Sequence, residues 1–267
     1  MATAKPMKRL EKLGRSTVEA VSEIGFGAVL LMQSLMWTIT GKARRQPVRL
    51  SSIIREAMDI GIRAIPIVGI MSGTIGIMLA IQGIYSLRLF GAEQQVTYGV
   101  AVSIVREFAP LITGILVAGR SGSALAARIG TMKINQEIDA LVVMGINPVR
   151  FLVAPALLAA VVMLPAITFF ADLLGLLAAG LYIAVELEIT LAAYWYQVID
   201  LVRPIDLFHG LFKSVLFAIL IVMVGIINGA NVTGGAEGVG RLTTRSVVHA
   251  ISAIIITDML FVFMTTR

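Results

Sequence analysis

The chain has 267 residues, of which 58% are hydrophobic and 14% are charged, and its formal net charge is +6. This composition, with a mean hydropathy of +0.91, excludes intrinsic disorder and argues against a water-soluble enzyme. Because there is no cysteine, disulfides, thiolate metal sites and cysteine nucleophiles are excluded. The basic excess in so apolar a chain is typical of cytoplasmic anchoring at a membrane rather than of nucleic-acid binding.

The first apolar run, residues 24–39, has 16 residues, which is short for a membrane span. Basic residues flank it on both sides, and segments rich in Lys and Arg stay in the cytoplasm. We therefore predict that the N-terminal region, residues 1–50, lies in the membrane interface. A signal peptide is the competing interpretation, which the long charged leader and the lack of a small-residue cleavage site disfavour. The flanking residues are Lys5, Lys8, Arg9, Lys12, Arg15, Lys42, Arg44, Arg45 and Arg49.

Five longer apolar stretches follow, and a spanning helix needs roughly 20 apolar residues. They cover residues 64–84, 96–119, 151–185, 207–227 and 247–264. The third stretch has 35 residues, but dividing it into two spans would leave no residues for a polar turn. We therefore predict a single helix there, tilted or kinked at Pro155 and Pro165.

The distribution of Lys and Arg predicts a cytoplasmic N-terminus. With five spans, 17 of these residues fall before residue 64 or within 120–150 and 228–246, against three on the other side. Dividing the third stretch gives the same ratio. The length of the stretch, and not the charge, therefore favours five spans.

Four charged residues lie within or beside the predicted spans, where a charge costs about 2.5–3.5 kcal/mol unless it is paired or faces a cavity. Arg106 and Glu107 stand about 20 Å above the cytoplasmic end of the second span. Lys213 reaches nearly the same depth in the fourth span, and Asp206 precedes it by two turns on the same face. Two acids and two bases are therefore predicted to gather in the outer half of the membrane, with formal charges that cancel. Such a site suits a zwitterionic or anionic headgroup with two acyl chains, while inert ion pairs or side chains reaching the outer interface are the alternative.

Other polar and small residues in the spans carry weaker signals. Asp172, Asp258 and His249 are each isolated on an apolar helix, which is more typical of a satisfied interhelical contact than of a site. The first span contains Gly69 and Gly73 at a four-residue spacing, with two more glycines after them. This pattern indicates either a close helix–helix approach or permitted kinks.

The loop between the second and third spans, residues 120–150, predicts a short amphipathic helix with an N-cap, an acidic first turn, an apolar stripe and a glycine stop. Asn135 is the predicted N-cap, and Glu137 and Asp139 form the acidic first turn. Ile138, Leu141 and Val142 form the apolar stripe, and Gly145 is the glycine stop. A short cytoplasmic helix between two spans either lies on the membrane or docks into a groove of a partner.

Motifs for catalysis or nucleotide binding are missing from the sequence. It contains no G-x-x-x-x-G-K-[ST], no H-E-x-x-H and no G-x-S-x-G, and with two histidines a metal site is disfavoured. A membrane cavity and a docking helix without a motor predict a transport subunit that another protein drives.

Four groups of residues resemble the MlaE/YrbE permease family, over about residues 10 to 265. They are Arg106-Glu107 through Pro110; the run 118–125, AGRSGSAL; the segment 136–141, QEIDAL, with Met144-Gly145 and Asn147-Pro148; and the late Gly238, Thr243-Thr244 and Val247-Val248. The resemblance implies an all-α polytopic membrane protein, a single permease domain over residues 1–267. It also implies five transmembrane helices, an N-terminal interfacial helix and a cytoplasmic coupling helix.

The family implies a function and a set of partners. Its members are permease subunits of ABC transporters that move phospholipids between the inner membrane and periplasmic or outer-membrane carriers, which maintains outer-membrane lipid asymmetry. The implied partners are a second copy of the chain, an MlaF-like ATPase, an MlaD-like ring of MCE domains and, in many systems, an MlaB-like STAS-domain protein. The chain itself would hold no cofactor, because ATP and magnesium bind to the ATPase, and it would bind no nucleic acid.

The resemblance also assigns residues. It places Arg106, Glu107, Asp206 and Lys213 along the periplasmic side of a lipid cavity, and it assigns ATPase coupling to Glu137, Ile138, Asp139, Leu141 and Met144. One departure is the Asn135-Gln136-Glu137 run, where relatives often carry Glu-Gln. Related permeases serve sterol uptake or chloroplast lipid import, so the family leaves the substrate open. A stand-alone secondary transporter, with Asp172, Asp258 and His249 as a proton path, and a membrane scaffold are the other classes considered.

Overall fold

The computed structural model describes residues 4–41 and 46–265, and all the regular structure within these residues is helical. The α-helices are α1 (Ala4–Thr40), α2 (Leu50–Ile60), α3 (Ile65–Arg88), α4 (Val96–Ser103), α5 (Ala109–Val117), α6 (Ser123–Ile134), α7 (Glu137–Val143), α8 (Ala154–Glu186), α9 (Leu191–Leu201), α10 (Pro204–Ala230) and α11 (Gly235–Thr265). Three π-helical turns connect some of them: Ile104–Phe108, Ala118–Gly122 and Val149–Val153.

Six helical stretches of the described chain are long and apolar enough to cross a membrane, by length and composition. They are Val21–Thr40, Leu50–Arg88, Glu93–Ile134, Val149–Glu186, Pro204–Ala230 and Gly235–Thr265. The predicted class, an all-α polytopic membrane protein, is confirmed. The interfacial placement of the first stretch stays a prediction, since the basic side chains before Ser16 and those at residues 42–45 lie outside the described part.

The helix that contains the second predicted span is much longer than the apolar pattern of the sequence indicates. The helix does not end at Gly119 but continues through the π turn Ala118–Gly122 into α6 and ends at Ile134. Leu125, Ala126 and Ile129 on α6 are buried, and this apolar stripe explains why the helix continues. At 1.5 Å per residue the 42-residue stretch is about 63 Å long, so it projects well beyond a hydrocarbon core of about 30 Å.

The third predicted span is a single helix. It begins in the π turn Val149–Val153 and continues as α8 to Glu186, with Pro155 in the first turn and Pro165 in the interior. Two spans are therefore excluded for this stretch. The helix packs against α2, α3, α5 and α10, so it is the central element of the bundle.

Helices α3 and α8 approach each other closely at two glycines. A Cβ atom added to Gly76 would collide with the backbone carbonyl of Gly175, and one added to Gly175 would lie 3.5 Å from the carbonyl oxygen of Ser72. Only small residues permit this backbone distance. At Gly76, therefore, the glycine pattern reflects a close helix–helix contact.

Helix α9, which the sequence analysis did not predict, closes the loop between α8 and α10. The Thr190 side chain caps it by accepting a hydrogen bond of 3.2 Å from the Ala193 N–H. Tyr194 is fully buried, donates a 3.0 Å hydrogen bond to the Leu176 carbonyl, and lies against Gly180 of α8. Burial raises the pKa of Tyr194 above its ordinary value. This contact fixes the chain before it enters α10.

Candidate functional site

A π-helical turn carries the first two residues of the predicted charged site. Arg106 and Glu107 lie in the turn Ile104–Phe108, between α4 and α5. Pro110 follows in the first turn of α5, and its missing N–H leaves the carbonyl four residues earlier without its usual α-helical partner. Single π turns of this kind often occur at functional sites. Here the turn widens the helix where the charges lie.

Lys213 of α10 lies at the centre of the site. Its ammonium nitrogen is 2.5 Å from Oε2 of Glu107 and 2.9 Å from Oδ1 of Asp258 on α11. The lysine side chain is only 2% exposed, so its charge is compensated by the two carboxylates and not by water. Three helical segments that are distant in sequence are thereby joined through one ammonium group.

A second ion pair extends the cluster. Nη1 of Arg106 lies 3.6 Å from Oδ1 of Asp206, and the other oxygen of Asp206 accepts a 3.1 Å hydrogen bond from the Arg203 N–H at the start of α10. Asp206 therefore stabilises the helix N-terminus and the arginine together. The four predicted residues thus form two ion pairs, Arg106–Asp206 and Glu107–Lys213, and their role in a lipid cavity stays a prediction.

The backbone and an aromatic ring hold the cluster in place. Gly210 of α10 packs so closely on the Val105 carbonyl that an added Cβ would collide with it, and this brings α10 onto the π turn. The ring of Phe261 on α11 lies 5.4 Å from the Lys213 nitrogen and 5.9 Å from the ring of His209. A ring in this position favours a cation.

The cluster includes Asp258, a residue outside the four predicted from the sequence. As an isolated acid on an apolar helix it was weighed as a simple interhelical contact, and only the fold shows that it pairs with Lys213. The cluster therefore holds three carboxylates and two cations, one negative charge in excess, where the sequence predicted balance. The most accessible members are Glu107, 37% exposed, and Arg106, 29% exposed.

The three residues of the alternative proton path lie on two helices, Asp172 on α8 and His249 and Asp258 on α11. Asp172 is 2% exposed on α8, and its carboxylate oxygens have no hydrogen-bond partner in the described chain. His249 lies nine residues before Asp258 on α11, and its Nε2 accepts a 3.4 Å hydrogen bond from Nε of Arg245. No hydrogen bond or ion pair of the described residues joins any two of the three.

The predicted coupling helix exists as α7. Its N-cap is Gln136, in the left-handed conformation at φ 58° and without a side-chain cap, and not Asn135 as predicted. Asn135 instead ends α6 and donates a 3.1 Å hydrogen bond to Glu137. At the other end Gly145 has φ 73°, as the predicted glycine stop requires. The hydrogen bonds Gly145 N–H to Val142 and Ile146 N–H to Leu141 complete the stop.

Only part of the predicted coupling set is available to a partner. Leu141 is buried, 8% exposed, and Ile138 packs against the core of the chain itself. The outer face of α7 is formed by Glu137, Asp139, Val142, Val143 and Met144, of which Val143 is 88% exposed. An exposed apolar surface of this kind marks a contact with another molecule.

Among residues 4–41 and 46–265, no group of three or more His, Asp or Glu side chains is arranged to hold a metal ion. The cluster around Lys213 is instead held together by its own cations. It can bind charged groups through ion pairs and hydrogen bonds.

Comparison with known proteins places the chain in a family. A family model described as Permease MlaE matches residues 53–264, which is most of the chain. The chain belongs to the MlaE permease family. A protein of Rickettsia conorii named as a probable ABC transporter permease protein is 32% identical over 93% of the chain and 94% of its own length. A Synechocystis protein of the same description is 36% identical over 74% and 76%.

A third relative carries a more specific name. The intermembrane phospholipid transport system permease protein MlaE of Haemophilus influenzae is 28% identical over 90% of the chain and 91% of its own length. This polytopic chain is therefore an MlaE-family ABC transporter permease, a membrane subunit without an ATPase domain of its own.

Proposed function

We propose that this permease moves phospholipid molecules and that the cluster of Arg106, Glu107, Asp206, Lys213 and Asp258 contacts the headgroup on the way. The observation that carries the proposal is the concentration of five charges between three apolar helices. Charges at such positions are costly and mark substrate pathways. The name of the Haemophilus relative supports phospholipid as the substrate.

The accessible charges suit a zwitterionic headgroup. Lys213 is buried and already has two carboxylates, so it mainly positions Glu107. Arg106 and Glu107 keep exposed surface, and they are adjacent in the same π turn. A guanidinium group binds phosphate and a carboxylate binds an ammonium group. Phosphatidylethanolamine carries both groups, and it is the headgroup that this pair fits best.

A cavity between two copies of the chain would complete the path. Only 11% of the most apolar stretch of helix α11 is buried. Its side chains Ile255, Met259 and Phe263 are half exposed or more. These side chains lie on the helix that contributes Asp258. A homodimer that pairs these faces would enclose the two clusters and let acyl chains lie on apolar residues.

The energy and the route would come from partners. We assign ATP hydrolysis to an ABC ATPase that contacts the outer face of α7, with magnesium and ATP bound there. On the other side of the membrane, a ring of MCE domains would receive or deliver the lipid, and a STAS-domain protein would bind the ATPase. This arrangement corresponds to a bacterial inner membrane with the N-terminus in the cytoplasm.

Photocrosslinking tests the lipid path. A photoreactive phenylalanine analogue is placed at Arg106 and, as the control, at Met78, which is 54% exposed on α3, a helix that contributes no residue to the cluster. In the assembled complex, we expect the residue at 106 to capture phospholipid in a nucleotide-dependent manner. The residue at 78 should capture bulk lipid regardless of nucleotide. Capture of a sterol at 106, or capture there that nucleotide never changes, would contradict the proposal.

A further inference from the structure

A second charged pocket lies near the other end of the same long helix. It has a volume of about 240 Å³ and is lined by residues of α2, of the turn that follows it, of the π turn Ala118–Gly122 and of α6. Its polar and charged lining residues are Glu56, Asp59, Arg63, Arg120, Ser121 and Arg128. Arg120 follows Arg106 by 14 residues, so the pocket lies about 20 Å along the helix from the cluster.

The cations of this pocket exceed its anions. Arg128 pairs with Glu56 at 2.7 Å, and Arg63 pairs with Asp59 at 2.7 Å. Arg120 has no ion-pair partner in the part of the chain that the structure describes. Three cations against two carboxylates leave one positive charge, and it lies on the accessible arginine.

Two residues of the pocket also carry buried polar atoms without partners. Oγ of Ser121 and Nε of Arg128 are buried, and neither finds a hydrogen-bond partner within the described residues. Arginine Nε can only donate, and a serine hydroxyl donates readily. Buried donors are nearly always satisfied in native proteins. A ligand with acceptor oxygens matches the donors of this pocket, and the excess arginine favours an anionic one.

One part of the pocket wall is apolar. Ile60 and Leu125 line it, together with Ala124. Ile60 and Leu125 also line a narrow neighbouring cleft, together with Ser121 and Gly122 of the π turn and apolar residues of α5, α8 and α10. A soluble anion would leave this wall exposed to water. A molecule with a phosphate next to hydrocarbon satisfies both parts of the wall.

We infer that this pocket binds the phosphate of an anionic phospholipid in the leaflet opposite to the cluster of Lys213. The lipid phosphate accepts from the exposed guanidinium group of Arg120, and the hydrocarbon below the headgroup lies on Ile60 and Leu125. Basic pockets between membrane helices bind anionic headgroups in this way. The site is independent of the proposed transport function, because it would hold a structural lipid equally well.

Fluorescence quenching by brominated lipids tests this site. The variant A124W places a tryptophan in the pocket of the full chain, in phosphatidylcholine vesicles with increasing fractions of brominated phosphatidylglycerol or brominated phosphatidylcholine. The signal of the native Trp37 and Trp195 is subtracted with a chain that lacks the new tryptophan. We expect half-maximal quenching at about a fivefold lower fraction of phosphatidylglycerol, since one surface cation contributes about 1 kcal/mol to anionic lipid binding.

Three arginine variants in the same background make the test specific. R120Q should weaken the preference about fivefold, and R120K should retain it. R241Q serves as the matched control, since this arginine on α11 is 72% exposed and outside the pocket. Equal quenching by the two lipids, or equal effects of R120Q and R241Q, would overturn the proposal.

Two further measurements separate other sources of the same chemistry. Inorganic phosphate could protect the tryptophan of A124W from quenching while brominated phosphatidylglycerol quenches no better than brominated phosphatidylcholine. In that case the site takes a free anion and the lipid assignment fails. If R120Q prevents co-purification of the ATPase without changing lipid preference, the surface belongs to that partner. Native mass spectrometry of the chain without A124W should find phosphatidylglycerol retained, and R120Q should reduce the retained amount, which guards against an effect of the added tryptophan.

Discussion

Replacement of Lys213 by methionine is the most direct test of how the charged cluster is held together. The methionine preserves the length and much of the volume of the side chain but removes the ammonium group. Glu107 and Asp258 then lose their common cation, and the Asp258 side chain is only 16% exposed. Removing one partner of a buried ion pair costs about 3–5 kcal/mol, because it leaves an uncompensated charge. We expect a loss of this size in the free energy of unfolding of K213M.

A second substitution separates charge from packing. In K213M/D258N the more buried of the two carboxylates is also neutralised, while Glu107, at 37% exposed, can still reach water. We expect the double variant to recover most of the lost stability. If packing around the lysine stem were the cause, the second substitution would recover nothing.

The free energy of unfolding can be measured by titration with sodium dodecyl sulfate from mixed micelles. K133M is the matched control, since Lys133 is 42% exposed and lies 3.7 Å from Asp139. An exposed pair of this kind contributes about 0–1 kcal/mol. A K213M protein as stable as K133M, or a double variant as unstable as K213M, would refute the account of the cluster.

Three further predictions concern other parts of the chain. G76A should destabilise the protein by about 1–3 kcal/mol, because the added carbon meets a backbone carbonyl of α8, while G73A, with room for a Cβ, should have little effect on SDS unfolding; equal effects would exclude close packing as the cause. V143D should reduce co-purification of the ATPase, and V185D, also on a strongly exposed valine, should not; if both or neither do so, α7 is not the docking surface. Because burial raises the pKa of Tyr194, stability present below about pH 10 should be lost as the pH rises further, since only the unfolded state ionises there; Y194F should flatten this dependence in unfolding midpoints measured against pH, and an unchanged slope would contradict it.

The class of the molecule and most of its helices could be predicted from the sequence because a membrane span is recognised by its composition and length. A bilayer requires long apolar helices whatever their neighbours are, so the single helix through Pro165 could be predicted from its 35-residue run. The helix continues past the predicted span end at Gly119, although glycines and an arginine there are typical of a loop. Burial of Leu125 and Ile129 against other helices keeps that segment helical.

The sequence by itself determined that Arg106, Glu107 and Lys213 would lie at nearly the same depth, with Asp206 two turns before Lys213 on the same helix face, since helical rise converts residue spacing into depth. Only the tertiary structure decided which of them pair. It brought Asp258 to Lys213, buried Leu141 of α7, and formed the pocket around Arg120 from segments that are distant in sequence. The physical reason is that depth along a helix follows from local geometry, whereas the partner of a side chain depends on how the helices rotate and pack.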